Sequence, residues 1–338
     1  MSRRQRGVAL LVVMFIMALM TSLAMNMTGR LFVNFNRVES QIRYEQAYWY
    51  TMAVEQLTGA VLKASIPDSG AVTLAQAWSV KDQTYPVDGA TVTGSIIDRQ
   101  ACFNLNAFQA EKPTQNGTNP PLVTALQQLL ISQDIDSTEA ENIASATWEF
   151  IDRDTNVQSA LGVEDSEYES RNPAYVTPNG LLADATEWRA VNGVTQQIER
   201  KVGRFLCAIP SDTATLNVNT LTEDDAPVLA ALLHPNLSVD QARTLIKNRD
   251  SVAGWSDEDA FLSDPIFGQL GQPEKDNLKK YIGVRSRFFE VDSTIKLDEA
   301  RFRTRALLMQ DENDSKYTVV RRRFGGVSER NTDDKTKQ

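Results

Sequence analysis

Met1-Ser-Arg-Arg-Gln-Arg-Gly7, followed by Val8-Ala-Leu-Leu-Val-Val-Met-Phe-Ile-Met-Ala-Leu-Met-Thr-Ser-Leu-Ala-Met25, decides how the rest of the chain is read. Three arginines crowd the start, and no charge follows until Arg30. The apolar run is at the short end of what crosses a bilayer as a helix. A cleaved secretory peptide has a shorter apolar stretch and a small-x-small cleavage site. Leu23-Ala24-Met25 is a poor version of such a site, and helix-compatible sequence continues to about Ser65. The run therefore predicts a retained anchor. Arg3, Arg4 and Arg6 precede it, so the N-terminus is expected in the cytoplasm and the bulk of the chain across the membrane.

Outward from this segment the pattern becomes one-sided. Leu31, Phe35, Val38, Ile42, Trp49, Ala53, Leu57 and Ala60 recur at helical spacing, while Arg37, Glu39, Arg43 and Glu55 fall elsewhere. The spacing predicts an amphipathic continuation that packs on its own domain and, at other heights, on partner helices. Pro67-Asp68-Ser69-Gly70 is a stop signal. Residues 71–106 read as extended, with β-branched residues concentrated from Val87 to Ile97. Helical text fills about 107–282. Strand-like text returns at Phe288–Val291, Arg301–Met309 and Tyr317–Phe324, and a charged tail from Val327 to Gln338 is expected to be disordered.

The helical region repeats itself weakly. Phe103-Asn104-Leu105-Asn106 precedes an apolar helix with Leu122, Leu126 and Leu129. Leu216-Asn217-Val218-Asn219 precedes another with Val228, Leu229 and Leu232. Each is followed by a second helix with a capping-box start, Asp136-Ser-Thr-Glu139 and Ser238-Val-Asp-Gln241. Two helix-pair units are thus predicted between early and late strands.

The leader resembles the class III signal of type IV pilins and type II secretion pseudopilins. That resemblance implies cleavage by prepilin peptidase after Gly7 and methylation of the new N-terminus at Val8. Most of that family carry a glutamate at the fifth mature position, where this chain has Val12. A buried glutamate needs a charged partner. A subunit with nothing above it has none, and the large K-type minor pseudopilin of type II secretion lacks the residue. The inserted helical region, Asn217-Val218-Asn219-Thr220 and Ile151-Asp152-Arg153-Asp154 extend the resemblance to K-type minor pseudopilins over nearly the whole chain.

It implies an α+β, pilin-like fold: a long N-terminal helix plus an antiparallel β-sheet, with a large inserted α-helical domain. The expected boundaries are a cleaved leader 1–7, a transmembrane helix 8–27 and its continuation 28–65. A split β-region, 66–106 and 283–326, flanks the insert 107–282, and the tail is 327–338. The implied role is a non-enzymatic subunit at the tip of the type II secretion pseudopilus of a Gram-negative bacterium, initiating assembly and supporting export of folded exoproteins. Its partners would be the I-type and J-type minor pseudopilins, other inner-membrane components of the system and prepilin peptidase. Val12, Leu31, Phe35, Val38 and Ile42 are the expected contacts with partner helices. A type IV pilus minor pilin is the alternative.

Composition fits this reading. Net charge is −9 over 338 residues; removing the leader arginines leaves 32 basic residues against 44 acidic. So acidic a chain lacks the basic surface that nucleic acid requires. Asn-x-Asn-Thr before helix, turn and helix also resembles helix-hairpin-helix modules, which would make the chain a membrane-anchored DNA-binding protein. The turn His234-Pro-Asn-Leu237, however, has no glycine to approach phosphate. The sole histidine, His234, has no partner suggesting zinc or nucleophilic chemistry. The only cysteines, Cys102 and Cys207, would lie outside the cytoplasm, where disulfides persist, so a bond between them is expected over two buried thiols.

Between Asp152 and Glu187 the carboxylates Asp152, Asp154, Glu164, Asp165, Glu167, Glu169 and Asp184 cluster in irregular sequence. On the residues alone this is a solvated acidic loop, since the spacing is not that of an EF-hand. K-type relatives bind calcium in their helical domain. The Asp-x-Asp … Glu-Asp-x-Glu resemblance therefore implies a calcium site, with Asp152, Asp154, Glu164, Asp165 and Glu167 as the expected ligands.

Overall fold

The computed structural model describes residues 4–67, 70–114, 118–249, 253–298, 300–311 and 316–325. Residues 1–3 of the leader and the tail 327–338 lie outside them. Helix α1 (Arg4–Ser65) is unbroken and about 90 Å long at 1.5 Å per residue. Its N-terminal part is long and apolar enough to cross a membrane, and none of that stretch is buried against the rest of the chain.

Five strands form one antiparallel sheet against the C-terminal half of α1: β1 (Gln83–Val87), β2 (Ala90–Asp98), β7 (Phe288–Leu297), β8 (Ala300–Gln310) and β9 (Tyr317–Phe324), in the spatial order β1-β2-β7-β8-β9. The strands between β2 and β7 belong to the insert. The Tyr50 hydroxyl donates to Asp88 O at 2.5 Å, and Arg43 meets Asp298 at 3.6 Å, so both hairpin turns lie near the middle of α1. Leu62, Ile66, Trp78 and Phe289 close the opposite end of the sheet. The insert leaves at Asp98 and returns at Phe288, at that end, farthest from the apolar part of α1.

The helix face on the sheet is not the one the spacing predicts. Ala47, Thr51, Glu55, Thr58 and Leu62 are buried, whereas the stripe from Leu31 to Leu57 is exposed, with Trp49 at 70%. Small residues let the helix approach the strands closely. Glu55 is tolerated because Arg322 of β9 donates to both its oxygens, at 2.5 and 2.6 Å.

The insert begins earlier than the sequence suggests. Phe103-Asn104 forms β3 and pairs parallel with β4 (Leu206–Cys207) instead of joining the main sheet. Between them lie α2 (Pro121–Ser132), α3 (Ser137–Ile151), α4 (Asp165–Glu169) and α5 (Gln196–Val202). The second unit repeats this plan. Its strand β5 (Leu216–Asn217) pairs parallel with β6 (Ile282–Gly283), enclosing α6 (Ala226–Leu232), α7 (Val239–Arg249), α8 (Glu258–Leu262) and α9 (Gln272–Leu278). One apolar core runs through both units, from Phe103 to Val284.

Each unit is closed by a buried asparagine pair. Asn104 Oδ1 accepts from the Asn106 N–H at 3.2 Å, and Asn217 Oδ1 from the Asn219 N–H at 3.0 Å. Asn106 then grips both backbone groups of Leu182, at 3.0 and 2.8 Å, and Asn219 those of Trp255, at 2.8 Å each. A side-chain amide supplies one donor and one acceptor at the spacing a peptide group needs, so it satisfies backbone groups that have no ladder partner. Gly254, at φ 101°, allows this approach; a Cβ there would come within 3.2 Å of Asn219 Oδ1. Asn217 also donates to Asp98 Oδ2 at 3.1 Å and to Ser286 Oγ at 2.7 Å, tying the second unit to the sheet junction.

Candidate metal centre and exposed helix stripe

Helix α3 ends in Thr147-Trp-Glu-Phe-Ile151, apolar text with one carboxylate in it. Glu149 is fully buried, because Trp148, Phe150 and Ile151 pack into the core around it. The chain leaves the helix at Asp152 and folds back. The N–H groups of Gln158 and Ser159 donate to Glu149 Oε1 at 2.9 and 2.7 Å. Gln158 Nε2 donates to Asp152 Oδ2 at 2.8 Å and to Asp154 Oδ2 at 2.9 Å. Gly162 allows the loop to lie on Glu149; a Cβ there would stand 2.3 Å from Oε1. Glu164 arrives just before α4 and receives the Thr177 hydroxyl at 3.5 Å.

Glu149, Asp152 and Glu164 thereby converge, with one oxygen from each within 4.8 Å of the others, and all three are buried. Glu149 Oε2 and Glu164 Oε1 are buried without a hydrogen-bond donor. Burial, and then mutual repulsion, pushes Asp152 and Glu164 up to about 7; burial also raises Glu149. Three converging buried carboxylates with two orphaned oxygens are costly to keep. A hard divalent cation removes that cost, and an all-oxygen set in an irregular loop suits calcium in particular. The donor set therefore fits the ion.

Of the five expected ligands, the structure brings together Asp152 and Glu164, with Asp154 linked to them through Gln158. It does not bring Asp165 or Glu167. Asp165 accepts from the Thr177 N–H and hydroxyl, at 2.9 and 2.6 Å, which lowers its pKa. Glu167 faces solvent beside Arg171, at 3.8 Å. The short helix α4 turns these side chains away from the loop interior. Glu149 escapes sequence reasoning because it lies inside a helix; a carboxylate among Trp, Phe and Ile is the signal that could find it. Asp184 caps the turn at Ala185–Ala190 and pairs with Arg323 of β9 at 2.5 Å.

Cys102 and Cys207 are joined by a disulfide at the neck of the first unit. Gly7 and Val8 lie in the first turns of α1. Val12, Leu31, Phe35, Val38 and Ile42 are all exposed on that helix.

A family model described as type II secretion system (T2SS), protein K matches residues 101–211, and a second of the same description matches 216–285. These limits follow the two units of the insert. A type II secretion system protein K of Pectobacterium carotovorum subsp. carotovorum is 34% identical over 96% of this chain and 98% of its own length. That of Aeromonas hydrophila is 32% identical, again covering 96% and 98%.

The chain belongs to the type II secretion system protein K family.

The fold agrees. The structure is similar to one from the GspK-GspI-GspJ complex of the enterotoxigenic Escherichia coli type 2 secretion system, with a TM-score of 0.78 and 32% identity over 86% of this chain and all of that one. Protein K is a structural pseudopilin family, and a long apolar N-terminal helix is the feature a membrane-anchored pseudopilin requires. In this protein K chain the exposed stripe on α1 continues from that apolar stretch past the start of the sheet, to Trp49 and Leu57. A contiguous apolar surface of this kind marks an interaction site.

Proposed function

We propose that the chain is a non-enzymatic minor pseudopilin at the tip of the type II secretion pseudopilus, where it initiates assembly and supports export of folded proteins. Val8–Met25 spans the inner membrane with its N-terminus in the cytoplasm, and the head lies in the periplasm. Prepilin peptidase cuts between Gly7 and Val8, and the new N-terminus is methylated. The exposed face of α1 receives the helices of the I-type and J-type pseudopilins; Leu31, Phe35, Val38 and Ile42 are its lower part and Trp49 and Leu57 its upper part. Glu149, Asp152 and Glu164 hold calcium, with Asp154 adjacent.

The position of the insert carries this reading. It occupies the end of the sheet farthest from the apolar helix, where the next subunit of a shaft would have to sit. Val12 fits the same place, since a glutamate there would find no amine above it. Gold labelling of intact pseudopili tests the proposal: one copy at one end is expected, and copies repeated along the shaft would overturn it. Mass spectrometry of the membrane-extracted protein checks the cleavage.

A further inference from the structure

Helix α1 covers one face of the five-stranded sheet, and the strand register fixes what the opposite face carries. Ile295 and Leu297 of β7 pack with Ala47, and Phe302 of β8 meets the Tyr44 ring, so the alternate residues of both strands point away from α1. The insert covers one end of that outer face, where Ile209 packs on Phe288, Leu307 and Met309. Lys296 and Arg301 mark the other end, beside the β7–β8 turn, and both are exposed.

This bare end is basic. Strands β8 and β9 carry six arginines and no acidic residue, in a chain of net charge −9. Arg301, Arg303 and Arg305 alternate along β8 and so share the outer face. The register sets Lys296 directly opposite Arg301, and Arg305 directly opposite Arg323. Like charges placed in this way repel. Two of these cations are neutralised within the chain: Arg303 donates to Asp292 at 2.9 Å, and Arg323 pairs with Asp184. Lys296, Arg301 and Arg305 have no ion pair or hydrogen bond among the described residues. Beside them β2 adds hydroxyl groups, with Thr91 opposite Lys296 and Thr93 opposite Thr294. Asp82 lies beyond β2, bonded to Ser95 at 3.2 Å.

The fold gains nothing from like charges set opposite one another. We infer that Lys296, Arg301 and Arg305 form a docking surface for an acidic segment of another protein, with the threonines of β2 as its hydrogen-bonding flank. Charge complementarity selects the partner, and guanidinium groups suit carboxylates in particular. With Val8–Met25 in the bilayer, an anionic membrane is too far below. The turn under this face meets Arg43, about 27 Å along α1 from Met25 at 1.5 Å per residue, against a screening length of about 8 Å. Duplex nucleic acid is disfavoured by the rest of the chain, since residues 99–287 hold 27 acidic residues against 16 basic. The face points away from α1, so this partner and the helix partners proposed above occupy different surfaces.

The test uses the full chain in nanodiscs, with phage-displayed random dodecapeptides as the probe and excess empty nanodiscs as competitor. Bound phage are eluted with concentrated salt. Enriched peptides are expected to be rich in Asp and Glu. Synthetic versions should bind the Lys296→Gln/Arg301→Gln and Arg305→Gln variants about tenfold more weakly. Lys112→Glu/Arg200→Glu, which changes the net charge more but at exposed sites in the insert, should bind as the parent does. Lys296→Glu should weaken binding yet raise the unfolding temperature by about 1–2 °C, because it sets opposite charges across the strands. If no enriched peptide distinguishes the parent from the glutamine variants, the docking surface is wrong. Equal weakening by Lys112→Glu/Arg200→Glu would reduce the effect to net charge and overturn the site. Enrichment of basic or uncharged peptides overturns the charge argument, and a lower unfolding temperature for Lys296→Glu overturns the claim that these cations do not serve the fold. Binding of a duplex oligonucleotide or of phosphatidylglycerol vesicles that the glutamine variants lose, with no peptide selected, would overturn the protein partner.

Discussion

In the second unit of the insert the chain passes from α7 to Trp255 within a few residues and is gripped there by Asn219; in the first it wanders from Asp152 to Leu181 before Asn106 takes hold of Leu182. The closing device is the same in both units, and it is made of buried amides with fixed partners. What differs is the excursion that only the first unit carries, and the disulfide at its neck. The frame is uniform because unmet backbone groups leave it no freedom. The excursion packs back on the frame through Tyr168, buried against Phe150 of α3, and it is there that the carboxylates and exposed apolar residues collect.

The two units should part company most clearly at the disulfide. Replacing Cys102 and Cys207 by serine should cost up to about 4–5 kcal/mol in the chain-entropy model for a loop of about 100 residues. Hydrogen exchange should rise in α2–α5 more than in α6–α9; an equal rise in both would mean that the two units do not open separately. Next come the clamps. Asn106→Ala and Asn219→Ala should each cost about 3 kcal/mol in urea unfolding, because two buried backbone groups lose their partner. Similar costs are expected if the two clamps are one device; a large cost in one unit alone would separate them.

Calcium should act on the first unit only. At about a hundredfold excess over its dissociation constant it adds about 2.7 kcal/mol. Glu149→Gln should remove most of this gain in thermal unfolding, and protection from exchange should appear in residues 152–182. An unchanged melting curve with calcium and with chelator would count against the site.

The same contrast should show in the pH dependence. Folded Asp152 and Glu164 keep protons up to about pH 7, whereas the unfolded chain releases them at 3.8 and 4.5. The folded state therefore binds more protons across that window, and the calcium-free protein should lose stability as pH rises from about 4 to about 7. The calcium gain should grow over the same range, as protons leave the ligands. Melting temperatures at several pH values, with and without the ion, measure both trends; a calcium-free protein that gains stability across the window would contradict the buried cluster. The smallest effect is expected at Glu167→Gln, within about 0.5 kcal/mol and with the calcium gain intact, because this residue faces solvent.

The anchor, the long helix, the repeat and the division of the chain into a sheet with an insert are all legible in the residues alone. They rest on periodicity, continuous apolar runs and capping signals, which are local. The strand Tyr317–Phe324 is legible for the same reason. Which face of α1 meets the sheet is a matter of packing, because Ala47, Thr51 and Thr58 serve close approach and Glu55 serves an arginine 267 positions away. The carboxylate cluster is half legible. Asp152 and Glu164 stand in conspicuously acidic text, but Glu149 joins them only because the loop folds back over the end of α3. Asp165 and Glu167 leave because Thr177 and Arg171 hold them elsewhere. A ligand set depends on where side chains converge in space, and spacing along the chain does not specify that once the loop is irregular.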